Sequence, residues 1–344
     1  MLFALTVSSC SSPPEENPPA VDQSAAAQTA VPDHEEFETD DVMRPDEVRD
    51  LPPNELGRIM ILMYHEIGYP ESEWCRTPEN FRQDLENLYR EGYRLISMND
   101  LIDGHIDVPA GTTPVVLTFD DATPGQFRYI EQEGKTVIVP FCAVAILEDF
   151  HQEHPDFGLA ATFYIFYDRP FRQAEYIEQK LNYLVKKGFE IGNHTYTHSN
   201  LAALSPAKVA EQLAMHGQRT RDYLHDYHIR TLALPYGARP SDPELAIRGC
   251  SEGINYRHEA VLLVGSNPAP SPFSKDFGVY LPRIRAGEIN SDGVGMYDWI
   301  DYFRNNPERR FLSDGDPDAI TISAQSAEDL RGQIPGAYKK IIKK

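Results

Sequence analysis

A chain of 344 residues, 41% of them hydrophobic and 10% aromatic, can bury a sizeable core and fits one large or two ordinary domains. Its formal net charge of -21 excludes a sequence-independent nucleic-acid binder, which needs a basic face. The acidity is compatible with an uncharged or cationic substrate and adds little more.

The first ten residues, MLFALTVSSC, form a short apolar run that closes on Val7-Ser8-Ser9-Cys10. The pattern resembles a bacterial lipoprotein signal, in which the cysteine is lipidated and becomes the first mature residue. The basic n-region is missing and the apolar stretch is short, which points to a truncated start. The alternative is an unstructured tail with a chance cysteine. Residues 11–57 are rich in Pro, Ala, Ser, Asp and Glu. They hold too little apolar surface to fold and read as a tether. Cys75, Cys142 and Cys250 lie too far apart for a zinc knot or a disulfide framework, although one pair would be free to bridge in an oxidising compartment.

From Arg58 to the C-terminus strand-like and helix-like stretches alternate. RIMILMYHEI (58–67) is a continuous apolar run, as expected of a strand buried on both faces. ENFRQDLENLYREGY places Phe81, Leu85, Leu88 and Tyr89 on one helical face and stops at Gly92. Further strands are predicted at YRLISM, PVVLTFDD, AATFYIF, FEIGNH, TLALPYG, AVLLVG and YLPRIRA. Between them AEYIEQKLNYLVKKG spaces Ile177, Leu181 and Leu184 as a helix does, and Ser205-Pro206 reads as the N-cap and first residue of another. Alternation of this kind predicts parallel strands with crossover helices. Seven or eight such units fit a single closed barrel over 58–344 better than two open sheets. No run of about 18 apolar residues suggests a membrane span.

Three strand ends carry chemistry. VVLTFDDA ends in Asp120 and Asp121, FEIGNHTYTH carries His194 and His198, and LALPYGARP carries Pro235-Tyr236-Gly237. Taken singly, each has a plain reading: a solvated turn, two surface or core histidines, an ordinary turn. Taken together, one carboxylate and two imidazoles at strand ends make the donor set of a catalytic zinc-like site with open positions. The second aspartate is then free to act as a base on water activated by the ion. A backbone N–H of the Pro-Tyr-Gly turn can face an oxyanion.

Thr118-Phe119-Asp120-Asp121, His194-Thr195-Tyr196-Thr197-His198 and Pro235-Tyr236-Gly237 resemble the first three motifs of the polysaccharide deacetylase family (carbohydrate esterase family 4, the NodB-homology domain). The resemblance runs from about Ile59 to the C-terminus. It implies an α/β fold, a deformed (β/α)7 TIM-like barrel forming a single catalytic domain. It implies metal-dependent removal of N-acetyl groups from an amino-sugar polymer such as peptidoglycan, chitin or poly-N-acetylglucosamine. Asp120 would be the general base, and Asp121, His194 and His198 would hold one divalent ion, zinc first, with cobalt, nickel or manganese as alternatives. The partners implied are an N-acetylated glycan and, through Cys10, a membrane; the location implied is the outer face of a bacterial membrane.

Two departures stand out. Many members have an arginine before Pro-Tyr-Gly that braces the base, whereas this chain has Ala233-Leu234. Arg283 in YLPRIRA is the candidate replacement, against the reading of an ordinary strand arginine. The family's last motif, a C-terminal strand leading to a catalytic histidine, is also missing, and no histidine follows His258. One branch of the family resembles a circular permutation in which that motif comes first, and ILMYHEI, with His65 as catalytic acid, matches it. The plain alternative for His65 is a buried histidine bonded to Glu66 or to backbone. A catalytically decayed carbohydrate-binding barrel is the competing function, motivated by the missing arginine. A metalloprotease or serine esterase would need His-Glu-x-x-His or Gly-x-Ser-x-Gly, and the sequence has neither.

Overall fold

The computed structural model describes residues 51–332, residue 334 and the backbone of 339–343. Cys10, the signal-like segment and most of the tether therefore lie outside the described residues. Nine strands form one parallel sheet. In chain order they are β1 (Met60–Tyr64), β2 (Tyr93–Leu95), β3 (Thr113–Asp120), β4 (Thr162–Ile165) and β5 (Glu190–Asn193). They continue as β6 (Thr231–Ala233), β7 (Ala260–Leu262), β8 (Tyr280–Leu281) and β9 (Ile284–Arg285). The spatial order is β8-β7-β6-β5-β4-β3-β1-β9. β2 joins the early part of β3, on Thr113–Val115, and β4 pairs with its last residues, Thr118–Asp120.

The ends of this order meet. β8 pairs with β7 through Val261 and Leu262, and β9 pairs with β1 through Leu62 and Met63. Only Pro282 and Arg283 separate β8 from β9. Proline has no N–H to give a ladder, so one predicted strand, YLPRIRA, becomes two short ones. Tyr280–Arg285 thus forms the seam of a seven-staved parallel barrel, in keeping with the (β/α)7 expectation.

Parity along the strands sorts the side chains. Met60, Leu62, Leu117 and Phe119 pack outward against Phe81, Leu85 and Leu88 of helix α1 (Pro78–Arg90). Ile61, Val116, Tyr164, Ala233 and Leu262 fill the interior. β1 and β3 are therefore buried on both faces, which explains their unbroken apolar runs. Helix α1 starts at the Thr77 N-cap, whose hydroxyl accepts the Asn80 N–H, and the chain turns away at Gly92 with φ 77°. Helix α2 (Met98–Asp103) follows β2 at once, starting from the Ser97 capping box, so the predicted strand YRLISM ends at Leu95. Helix α3 (Ala143–Glu153) precedes β4, and α4 (Ile177–Lys186) precedes β5. Helix α5 (Pro206–Tyr223) begins after Ser205 with proline in its first turn, but the Ser205 hydroxyl makes no cap bond.

The tether boundary needs correction. Residues 51–57 belong to the fold rather than to the linker. Asn54 pairs with Leu312, and the buried Glu55 carboxylate accepts the Thr321 N–H at 2.6 Å. A side chain on Gly57 would meet the Arg310 carbonyl carbon at 2.2 Å, so only glycine fits that approach. Cys75, Cys142 and Cys250 are unpaired. Among the described residues no helix is long and apolar enough to cross a membrane.

Candidate active site

Asp120 is the last residue of β3 and shares the inward parity of Val116 and Thr118. It is buried inside the barrel, where a lone carboxylate would be strongly destabilising. Its counter-charge is Arg283 in the seam. Arg283 Nη1 and Nη2 donate to the two Asp120 oxygens, each at 2.7 Å. Arg283 Nη1 also donates to the Thr118 hydroxyl at 3.1 Å, and Nε donates to the Leu263 carbonyl at 3.1 Å. This is the planar two-point pairing that arginine makes best. Burial pushes the Asp120 pKa up, but the Arg283 guanidinium and the nearby histidines outweigh it, so the group stays ionised. Arg283 thus braces Asp120 from the seam rather than from the strand that precedes Pro235.

Strand parity alone would send Asp121 to the outer face. Instead Asp121 and Ala122 take φ of 78° and 47°, and this left-handed turn brings the Asp121 carboxylate to the barrel mouth. Left-handed backbone recurs around the mouth, at Thr195 (φ 60°), His198 (56°) and Tyr236 (59°). A β-branched residue is rarely held so. Thr195 is kept there by Asn193, whose side-chain oxygen accepts the Thr195 N–H at 2.9 Å, and by its own hydroxyl, which accepts the Ser199 N–H at 2.8 Å. Asn193 also donates to the Leu213 carbonyl and contacts His258 Nε2 at 3.2 Å. His258 Nδ1 donates to the Ala246 carbonyl at 2.7 Å, and burial lowers its pKa to about 4, so it is a neutral prop.

Asp121 Oδ1 lies 3.2 Å from His194 Nε2 and 3.0 Å from His198 Nε2. One donor atom from each of the three residues falls within 4.8 Å of the others. His194 Nδ1 contacts the Ala233 carbonyl at 2.9 Å. A carbonyl only accepts, so Nδ1 carries the proton and the neutral ring presents a lone pair at Nε2. Asp121 Oδ1 is buried with no hydrogen-bond donor of adequate geometry. Lone pairs that converge this closely call for a cation between them. Burial pushes the His194 pKa down, but the Asp120 and Asp121 carboxylates outweigh it and raise it, so the same atoms attract a proton when no ion is bound. Burial acts to raise the Asp121 pKa, and the two histidines drive it well below the usual carboxylate range. The donors fit a tetrahedral ion with open positions.

Tyr236 is 68% exposed, yet its hydroxyl contacts His198 Nδ1 at 3.1 Å, on the side away from Asp121. Pro235–Gly237 forms a single 3-10 turn directly after β6. His65, between β1 and the short strand Glu66–Ile67, is half-buried. Its ring is near enough to Asp120, Asp121 and His194 to feel their charges. Burial lowers the His65 pKa despite the two carboxylates. It is thus a stronger acid than a free imidazole, and its charged form is a minority at neutral pH. The structure therefore gathers Asp120, Asp121, His194, His198, Tyr236, Arg283 and His65 at one end of the barrel.

Some neighbours escaped the sequence reading. Trp74 packs edge-on against His65 with ring centroids 4.7 Å apart, and Arg285 lies over the Trp74 ring. Gln126 donates to the backbone carbonyls of both His65 and Asp120, tying two strand ends together. Trp74 and Gln126 sit in aperiodic loops, and the Ala233 carbonyl is backbone, so no pattern marks them.

The sequence profile of polysaccharide deacetylases matches residues 107–249. The match takes in Asp120, Asp121, His194, His198 and Pro235–Gly237 and leaves out His65 and Arg283. A chitooligosaccharide deacetylase of Bradyrhizobium sp. is 28% identical over 133 residues, 39% of this chain and 50% of that protein. The chain thus spans about half the length of that curated relative. Among solved structures, a polysaccharide deacetylase from Bacillus cereus is 18% identical with a TM-score of 0.49, covering 66% of this chain and 64% of its own. The Streptococcus pyogenes deacetylase PplD, solved with acetate, is 20% identical with a TM-score of 0.48, covering 68% and 93%. Residues 107–249, which hold the paired aspartates, both converging histidines and the Pro-Tyr-Gly turn, are thus similar to polysaccharide deacetylases.

Proposed function

We propose that the protein is a metal-dependent amidohydrolase that removes N-acetyl groups from an amino-sugar polymer, held at the outer face of a bacterial membrane through Cys10. The observation that carries the reading is the convergence of Asp121 Oδ1 with two imidazole Nε2 atoms at 3.2 and 3.0 Å beside a buried, ionised Asp120. Asp121, His194 and His198 would hold the ion, which when bound supplies Lewis acidity to water and to the acetyl carbonyl. Asp120 takes the proton of the attacking water, and Arg283 fixes the orientation of its carboxylate. Within the Pro235–Gly237 turn the Tyr236 N–H faces the developing oxyanion, since Pro235 has none and the Gly237 N–H donates to the Leu234 carbonyl. His65 delivers a proton to the departing amine, because an amide anion leaves too poorly on its own. The placement of His65 before β3 supports the permuted arrangement.

The Arg283–Asp120 pair supports this reading over that of a decayed carbohydrate-binding barrel. Acetate release from peptidoglycan, chitin oligomers and poly-N-acetylglucosamine, measured beside metal content, tests the proposal. The wild-type protein should carry one divalent ion and release acetate, and His198→Ala should lose both. Unchanged metal content in His198→Ala would overturn the ligand assignment. The role of His65 has its own test. His65→Ala should lower turnover by about 10²-fold or more while metal content stays at one ion, and near-normal turnover would remove it from the mechanism.

A further inference from the structure

Asn193, the last residue of β5, stands next to a candidate ligand and points away from it. It shares the outward parity of Ile191, and its side chain is buried against helix α5, where Nδ2 donates to the Leu213 carbonyl at 3.2 Å. Its Oδ1 accepts the Thr195 N–H at 2.9 Å. Thr195 lies between His194 and His198 with φ of 60°, and the reversal there lets both imidazoles reach Asp121 Oδ1. A β-branched residue keeps that backbone only while its surroundings hold it. The hold works in one orientation of the Asn193 amide alone, because a flipped amide would set N–H against N–H.

His258 secures that orientation. Its Nδ1 donates to the Ala246 carbonyl at 2.7 Å, which leaves Nε2 as an acceptor 3.2 Å from Asn193 Nδ2. The two Nδ2 hydrogens thus have two acceptors, Leu213 and His258, and Oδ1 is left for Thr195. The Leu213 carbonyl sits inside a helix and also serves the backbone ladder. Among the described residues the His258 lone pair serves Asn193 alone. The imidazole is held in turn, since its backbone N–H donates to the Ile247 carbonyl at 2.6 Å and its ring packs on Tyr256 with centroids 5.6 Å apart. Asn193, Thr195 and His258 are all buried, so a lost acceptor would leave an N–H that water cannot satisfy.

His258 lies 65 positions beyond Asn193 and outside the matched stretch 107–249. We propose that it is a positioning residue for the metal centre: by accepting from Asn193 it fixes the amide that holds Thr195, and through Thr195 the convergence of His194 and His198. The inference rests on the assignment of those histidines as ligands, and its test separates the two.

Zinc affinity is measured by competition with a chromophoric chelator. Hydrogen exchange of the peptide carrying the Thr195 and Ser199 amides is followed by mass spectrometry in the metal-free protein. His258→Leu removes the acceptor and should weaken zinc binding about tenfold or more, as loss of a group behind a ligand does. The Thr195 peptide should exchange faster in the same variant. His258→Gln can still accept from Asn193 and donate to Ala246, so it should recover most of both properties. In Asn193→Ala the hold is already gone, and adding His258→Leu should cost no further zinc affinity. If His258→Leu does not fold, His258→Met takes its place with the same expectations. A lower melting temperature with wild-type zinc affinity and exchange would make His258 a packing residue and overturn the proposal. An equal loss of affinity with and without Asn193→Ala would overturn it too. A wild type that binds no zinc, with exchange that still depends on His258, keeps the hold on Thr195 and loses the ligand assignment. Zinc binding that is indifferent to His258 keeps the ligands and loses this inference alone.

Discussion

Replacing Asp120 by asparagine should leave the metal content unchanged and lower acetate release by about 10²–10⁴-fold. The amide oxygen still accepts from one Arg283 nitrogen, while the guanidinium loses its counter-charge and some stability with it, and no group of that side chain can take a proton from water. Asp120 does not belong to the converging donor set, which consists of Asp121, His194 and His198. Metal analysis and acetate release on the same sample therefore separate the two aspartates. A loss smaller than about tenfold would assign the base elsewhere. Loss of metal would show that Asp120, and not only Asp121, ligates the ion.

The largest effect on stability should follow from Arg283. Its side chain is fully buried, as is nearly all of Asp120, so Arg283→Met strands a carboxylate inside the barrel. Breaking one partner out of a buried pair costs about 3–5 kcal/mol. The same substitution should abolish turnover, because a stranded Asp120 regains a proton. Adding Asp120→Asn to Arg283→Met should restore much of the lost stability, since the uncompensated charge then disappears. Chemical denaturation of the wild type, the two single variants and the double variant measures the coupling directly. Strictly additive losses would show that the pairing at 2.7 Å is not what holds the seam.

The sequence made the barrel legible because its strands are buried on both faces. Unbroken apolar runs such as ILMY and VVLTF, each followed by a helical pattern, leave few alternatives to parallel staves. Asp120, Asp121, His194 and His198 were legible as candidates because they sit where such runs stop. What escaped depends on backbone and on long-range closure. The left-handed turn that redirects Asp121 has no sequence mark, since aspartate is common in turns of every kind. Pro282 splits the last stave although its apolar flanks read as one strand. Leu51-Pro52-Pro53 has the composition of the linker, yet the next residues, Asn54 and Glu55, are pinned by backbone bonds to Leu312 and Thr321. Composition reports how much apolar surface a segment carries and says nothing of free N–H groups elsewhere that it can satisfy.

The seam carries a consequence for how the protein is made. Arg283 is 163 residues away from Asp120 along the chain, and the stave that bears it is the last of the ring to leave the ribosome. Until then the six earlier staves hold an acidic side chain with nothing to neutralise it, facing an interior still open to water. Such a chain gains little by collapsing, because closing around a bare carboxylate is unfavourable. Contacts of such long sequence separation also form slowly. Winding shut and becoming competent are then a single event, and a barrel stalled before residue 283 would hold the ion ligands yet lack an oriented base. Pulse-labelled nascent chains truncated before and after Tyr280–Arg285 should differ sharply in protease resistance.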